Sequence, residues 1–588
     1  MGNGCRQVLI IQAKSARLLD NTRDVCGFAP GFGRERGRAS MAWSAVYSAT
    51  LLKGSENRWI TAWELGMMPD GYMRHSKIDP ALKERRAVIQ LLHRVDRPDI
   101  TYAELEQIAE ELLGTGTQAG YILAQEIGKT EDLERLNRLT YLAAYIDDER
   151  IVAALSRLLF HPNRSREYKA QVLQSLERLG VDTEHGVYGG FLQRQEVLRL
   201  NLVETRRRMQ NNAEAAVQFL YDAFYASPGQ RLAMARLLLA ESDPASTELL
   251  AYLVQISEES TWQQVLDMLG RTRTDASVTV LQELIRYAVA PELVASAERA
   301  LRRLRFAGHP VPEAPQAGPA AHVRTWVSRV EGNGAQMIWM AAPGTGKLAD
   351  TACFLLHEGR GLIDCFGEAQ ADLTDFVRAS VQVELEDGGR SVPLDYAIDL
   401  LERSLGRSME QGVPMPPELP FRLRRLQLQG LTPRLVPLLE LDPIYRQRAE
   451  GPELKWPDVC DLFQEPVLDD WIITDPMFFN DVGKFYGRSR LGAVEVRRFV
   501  RRVFTEYVQP ELPALRERLL RNAQWVEVTG ESGALAERLR LAAAVLDAYP
   551  VDKNAFLQQF ILKSVRDARE MLREGYDPTA LLDDEYFD

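Results

Sequence analysis

Between Ile78 and Phe306 the sequence starts one short helix after another, and each start is followed by a single apolar stripe. This pattern constrains the fold more than any other feature. A short helix with one apolar face is not stable alone in water and must bury that face against a neighbour. The starts are written in capping chemistry. Thr101-x-x-Glu104, Ser227-Pro228-x-Gln230 and Ser260-x-x-Gln263 have the spacing of capping boxes, in which side chains satisfy orphan backbone donors. Asp243-Pro244 pairs an N-cap acceptor with proline at the first helical position. In the last helix of the run Val294, Ala297, Leu301 and Leu304 share one face, while Arg299, Arg302, Arg303 and Arg305 look outward. Connections of only a few residues predict antiparallel helix pairs.

The run is also weakly self-similar. "DPASTELLAYL" from Asp243 aligns with "DASVTVLQELI" from Asp275, matching the Asp cap, Thr247 with Thr279 and Leu249 with Leu281. "LAAYIDDERIVAALSRLL" (Leu142 to Leu159) and "LGRTRTDASVTVLQELI" (Leu269 to Ile285) share an outline of helix end, turn, acidic cap and second amphipathic helix. With another helix the unit closes after about 40 residues. On these segments the chain resembles the HEAT-like, armadillo-type α-solenoids, over residues 74–307. That resemblance implies an extended stack of helical hairpins used as a binding surface, with a generic helical bundle as the alternative.

"GHPVPEAPQAGPAAH" (308–322) breaks the pattern and reads as a linker. Beyond it the period changes to alternation. "VRTWVSRV", "AQMIWMA", "TACFLLH" and "LIDCFG", separated by the turns "EGNG", "PGTGK" and "EGRG", predict an antiparallel meander. "SVQVELEDGG" (380–389) predicts a further strand. Helices resume with "PLDYAIDLLERSLGRSMEQG", are interrupted by "VPMPPELPF", and continue from Trp456 to about Tyr576. The expected fold class is therefore mainly α: a helical-repeat domain (74–307), a linker (308–322), a small antiparallel sheet (323–389) and a C-terminal helical domain (390–576). A poorly patterned leader (1–73) and an acidic tail (577–588) complete the expectation. With the later methionines Met41, Met67, Met68 and Met73, the leader is expected to be either a floppy segment or upstream sequence included by a wrong start.

A chain of 588 residues is too long for one hydrophobic core. Its net charge of -12 argues against a constitutive binder of nucleic acid or anionic membrane. Five scattered cysteines form neither a disulfide framework nor a zinc motif, which suits a reducing, cytoplasmic setting. No apolar run has membrane-spanning length. "MGNGC" carries Arg6 where a myristoylation signal wants Ser or Thr, and "VLII" is too short for a signal-peptide core.

"MIWMAAPGTGKLAD" (337–350) looks like a strand entering a phosphate loop. That loop needs G-x-x-x-x-G-K-[ST], with a hydroxyl for magnesium and a helix to follow. Here Ala341 replaces the first glycine, Leu348 replaces the hydroxyl, and strand-forming residues come next. Asp364 and Asp442 are poor candidates for the metal-holding acid. "PGTGK" is therefore expected to be a hairpin turn. Lys347 would bind a nucleotide phosphate only if the degenerate loop worked, so no cofactor is expected.

Other constellations are equally bland. The seven histidines lack ligand spacing. No G-x-S-x-G nucleophile elbow occurs, and "TGESG" (529–533) reads as a turn. Asp469, Asp470 and Asp475 could hold a cation or act as acid and base, but such residues more often cap helix ends. Arg206, Arg207, Arg208, Arg302 and Arg303, with Arg424-Arg425, Arg497-Arg498 and Arg501-Arg502, read as solvated helix faces or, together, as a basic groove. Trp326 and Trp339 fall on neighbouring strands, in the core or on a peptide-binding surface.

The functional expectation is a non-enzymatic interaction or scaffold protein whose partner is a protein or peptide. A nucleic-acid-binding or DNA-processing protein using the arginines is the second expectation. An enzyme with carboxylates such as Asp469 and Asp475 between the sheet and the C-terminal helices is the third. No membrane association is expected.

Overall fold

The computed structural model describes residues 80–573 except 98–99, 101, 116–117, 147, 184–187, 189–193, 242, 313–322, 379–388, 438, 453 and 487–492. The expected leader, the Thr101 cap, the strand at 380–388, the acidic tail and most of the linker lie outside the described residues. The fold is mainly α with one small antiparallel sheet, as the sequence predicts.

The helical run comprises α1 (Pro80–Arg94), α2 (Tyr102–Leu113), α3 (Gln118–Lys129), α4 (Leu133–Ala143), α5 (Glu149–Phe160) and α6 (Arg166–Arg178). It continues with α7 (Arg194–Met209), α8 (Ala215–Phe224), α9 (Pro228–Glu241), α10 (Pro244–Gln255), α11 (Glu259–Arg271), α12 (Asp275–Tyr287) and α13 (Pro291–Phe306). Helices two apart in sequence pack side by side. α1, α3 and α5 form one tier and α2, α4 and α6 the other; α9, α11 and α13 then face α8, α10 and α12 in the same way. Single-striped helices hide their apolar faces against their neighbours in this way. Two cores result, one from Val88 to Leu200 and one from Leu202 to Leu304. Helix α7 serves both, with Val197 and Leu200 in the first and Leu202 in the second.

The caps are partly as expected. Ser227 and Gln230 exchange backbone bonds, Ser227 N–H donating to Gln230 Oε1 (2.7 Å) and Gln230 N–H to Ser227 Oγ (3.4 Å). Asp243 accepts from the N–H groups of Ala245 (3.0 Å) and Ser246 (3.1 Å) ahead of α10. Ser260 is not a cap: α11 starts one residue before it, after Glu258, whose carboxylate takes the Thr261 hydroxyl. Asp275 is likewise already helical, and Thr274 caps α12 instead by accepting from Ser277 N–H (3.2 Å). The aligned pair survives at the next position. Thr247 and Thr279 each bond back to the carbonyl four residues earlier, at 2.9 and 3.0 Å.

The sheet runs β4-β3-β2-β1-β6, from β1 (Arg324–Val327), β2 (Ala335–Pro343), β3 (Leu348–His357), β4 (Gly361–Phe366) and β6 (Arg390–Ser391), with β5 (Ala371–Asp372) on β3. β1 to β4 are the predicted meander. β1 is shorter than "VRTWVSRV" because side chains take over the ladder. Asn522 accepts from Val330 N–H (2.8 Å) and donates to Val330 O (3.0 Å), and Trp525 Nε1 donates to Val327 O (2.9 Å). Alternation splits the sheet. Val327, Ile338, Met340, Ala352, Phe354 and Leu356 join the C-terminal core, while Trp326, Met337, Trp339 and Cys353 form a small cluster with Phe376 on the other face.

The C-terminal helices are α14 (Leu394–Gln411), α15 (Leu419–Arg425), α16 (Pro443–Glu450), α17 (Trp456–Cys460), α18 (Pro476–Tyr486), α19 (Ala493–Val503), α20 (Leu512–Val528), α21 (Gly533–Ala548) and α22 (Ala555–Arg573). They share one core with the sheet. Helix α14 lies so close to β4 that a Cβ at Gly361 would meet Ser404 O at 2.2 Å, and Ser408 Oγ accepts from Leu362 N–H (2.8 Å).

Candidate interaction surface

The second tier carries a polar ladder. Residues four apart lie on one face of a helix, and that spacing recurs at Asn137/Tyr141 in α4, Gln174/Arg178 in α6, Gln218/Asp222 in α8, Glu248/Tyr252 in α10 and Glu283/Tyr287 in α12. In the first half the rungs join one another. Tyr141 donates to Glu106 of α2 (2.8 Å), Gln171 and Arg178 both donate to Asn137 Oδ1 (3.2 Å each), and Arg178 grips Asp222 with two bonds of 3.0 and 2.8 Å. Planar guanidinium and carboxylate suit that bidentate geometry.

In the second half the rungs hold a segment from the other end of the chain. Helix α15 emerges from the proline-rich "VPMPPELPF" and lies against α10 and α12. Phe421 enters the helical core, edge-on to Tyr252 with ring centroids 6.0 Å apart. Arg424 reaches Glu248 (2.6 Å) and Glu283 (2.8 Å) on successive helices. Burial raises the Tyr252 and Tyr287 phenols above their ordinary range, with Glu248 and Glu283 adding to the effect; Tyr252 donates to Glu248 (2.7 Å), while Tyr287 accepts from Gln429 Nε2 (3.2 Å). Arg422, only 2% exposed, forms a triad with Glu214 and Glu418. Burial opposes its charge, but the two carboxylates outweigh burial and raise its pKa. Arg425 bonds Asp350 at 2.7 Å on β3.

Arg424 thus joins α15 to the helical run and Arg425 joins α15 to the sheet, a correction to their expected place on a solvated face; no role is expected of Arg422 from the sequence. The signal lay in "LPFRLRRL", where Phe, Leu and Arg alternate so closely that a helix has no wholly polar side.

The other sequence candidates are placed as follows. Arg206 ties α7 to the capping Asp243 (2.5 Å) and to Glu241 (3.2 Å). Arg207 and Arg208 both turn to Glu204, at 2.7 and 3.9 Å. Arg302 pairs with Glu298 (3.4 Å) and Arg303 with Asp267 (3.0 Å). On α19, Arg497, Arg498, Arg501 and Arg502 are exposed, with Asp552 and Asp481 beside the last two. Trp326 and Trp339 are direct cross-strand partners, each 8% exposed. Lys347 closes the hairpin between β2 and β3, next to Gly346 at φ 70°, and a strand follows it, not a helix. Asp469 pairs with Arg329 (2.8 Å), and Asp475 caps α18 by accepting from Met477 N–H (2.7 Å). Burial, with Asp469 adjacent, raises the pKa of Asp470.

Among the described residues no helix is long and apolar enough to cross a membrane, and no cluster of His, Cys, Asp and Glu has the makings of a metal site. The chain matches no known protein-family model, no curated protein sequence and no solved structure.

Proposed function

We propose that the protein is an interaction scaffold, whose second helical tier, α2-α4-α6-α8-α10-α12, is a docking surface for helical or extended peptide segments. The supporting observation is α15 itself. The back half of the tier accommodates a short helix by taking one aromatic ring into its core and meeting arginines with carboxylates from successive helices. The front half carries the same kind of ladder, with Glu110 and Leu113 of α2 exposed and Tyr141, Tyr145 and Gln174 half-buried along it. Tyrosine is enriched at interfaces because it joins apolar area to a polar tip. The partner is a protein or peptide in a cytoplasmic setting. The resemblance to HEAT-like solenoids points the same way.

Affinity capture with the full chain tests the proposal. A partner held by the wild type, released by Leu113→Asp or Tyr145→Ser and retained by Arg498→Gln would support docking on the front tier. Retention by the front-tier variants together with loss in Arg498→Gln would move binding to α19. Salt-sensitive binding to duplex DNA, lost in the same Arg498→Gln variant, would favour the nucleic-acid reading instead.

A further inference from the structure

The last helices of the chain carry a positive face, and the residues that follow them are acidic. Residues 476–486, 493–508 and 551–573 hold α18, α19 with the turn after it, and α22 with the turn before it. Counting every charge, they contain ten Lys and Arg against six Asp and Glu, an excess of four bases on a chain of net charge -12. Four of the ten lie on α19. Val494, Arg497, Arg498 and Arg501 follow one another at spacings of three and four, so they share one side of the helix, and all are exposed, Val494 at 55%. Arg501 meets Asp552 (2.5 Å) with both side chains more than half exposed, and Arg502 meets Asp481 (3.1 Å). Ion pairs open to water contribute at most about 1 kcal/mol each, so they do not withhold their arginines from another carboxylate. Arg498 pairs with no described acid.

Helix α22 hands over to the residues after it beside this face. Leu572, next to last in α22, lies against the last turn of α18, where a Cβ at Gly483 would meet its Cδ1 at 3.7 Å. Two positions beyond Gly483, Phe485 stacks on Phe499 of α19, with ring centroids 4.0 Å apart and planes 5° from parallel. Residues 574–588 then follow. They carry Glu574, Asp577, Asp583, Asp584, Glu585 and Asp588 with no Lys, Arg or His, and set Leu581, Leu582, Tyr586 and Phe587 among them. Extended, this segment spans roughly 50 Å, whereas the 11 residues of α19 cover about 16 Å. All of α19 is within its reach.

We propose that residues 574–588 dock along the exposed face of α19 in the same chain, their carboxylates toward Arg497, Arg498 and Arg501 and an apolar side chain on Val494. Tethering supplies the segment at an effective concentration on the order of millimolar, which a free polyanion must exceed to take its place. Docked, the segment screens the face. The assignment goes beyond the scaffold function and does not depend on it.

Fluorescence anisotropy of a labelled peptide with the sequence of 574–588 tests it on the full chain. In one variant the segment is neutralised by Asp583→Asn, Asp584→Asn and Glu585→Gln, which vacates the face. That variant should bind the peptide saturably, and the wild type at least about tenfold more weakly, because its own segment competes. Arg498→Glu with Arg501→Glu, added to the neutralised chain, should abolish binding. Arg299→Glu with Arg305→Glu on α13 should leave it unchanged, and circular dichroism confirms that each variant is folded. Equal binding by the wild type and the neutralised chain would overturn docking within one chain, as would no binding by the neutralised chain. Binding untouched by the reversal on α19 would overturn the face. Salt-sensitive binding of duplex DNA by the neutralised chain, with no displacement by the peptide, would make the face a nucleic-acid site instead.

Discussion

Arg422 and Glu214 stand 208 positions apart in the chain, yet Arg422 Nη1 lies 2.6 Å from Glu214 Oε1 and both side chains are almost wholly buried. Glu214 ends the approach to α8, and its Oε1 also accepts Ala369 N–H (2.6 Å), so one carboxylate binds the helical run, the turn between β4 and β5, and α15 together. A buried ion pair contributes little net stability, but breaking one is costly because a charge is left without its partner.

Arg422→Ala should therefore destabilise the protein by about 3–5 kcal/mol, read from the urea midpoint. The same arginine replaced by Met, together with Glu214→Gln and Glu418→Gln, should recover most of that loss, since no buried charge is then uncompensated. A single-variant cost below about 1 kcal/mol would show that the triad does not fasten the two halves.

His357 should make stability fall in mild acid. Burial, with Arg360 and Arg518 near, lowers its pKa from 6.5 to about 4. The unfolded chain takes up this proton as pH drops below about 6.5, while the folded chain does so only near 4. Stability is thus lost as pH falls through that window, by on the order of 2 kcal/mol at pH 5. His357→Gln should flatten this part of the pH profile, as followed by denaturant titration. An unchanged slope would mean that other groups carry it.

The hairpin at 343–348 makes a contrasting pair of variants. Gly346 sits at φ 70° with no atom near enough to obstruct a Cβ. Gly346→Ala should then cost about 1–2 kcal/mol from the backbone conformation alone. Lys347→Ala, in the same exposed turn, should leave the melting temperature unchanged. An equal loss in both would mean that Lys347 makes a contact worth as much as the turn geometry.

Phe421→Ala should cost about 3–5 kcal/mol, the range for emptying a buried phenylalanine site. Because the ring lies in the helical core, amide exchange should accelerate first in α10 and α12 and not in β2 or β3. Faster exchange confined to the sheet would contradict this coupling.

Much of the architecture is local and was legible in the chain. Capping at Ser227 and Asp243, the striped face of α13 and the alternation of β2 and β3 depend on residues a few positions apart, and their spacing alone states the period. The stop of α14 at Gly412, φ 66°, follows from the same short-range logic. Where neighbours compete for one role the sequence was ambiguous: Glu258 displaced Ser260, and Thr274 displaced Asp275, because each sits one or two residues nearer the true helix start. What only the tertiary structure decided is which charges are solvated. Arg302 and Arg424 both stand in helical arginine pairs, yet one stays at the surface beside Glu298 and the other reaches two helices of a distant segment. A charge's surroundings are set by whatever the fold brings against it from far along the chain, and no local pattern encodes that approach.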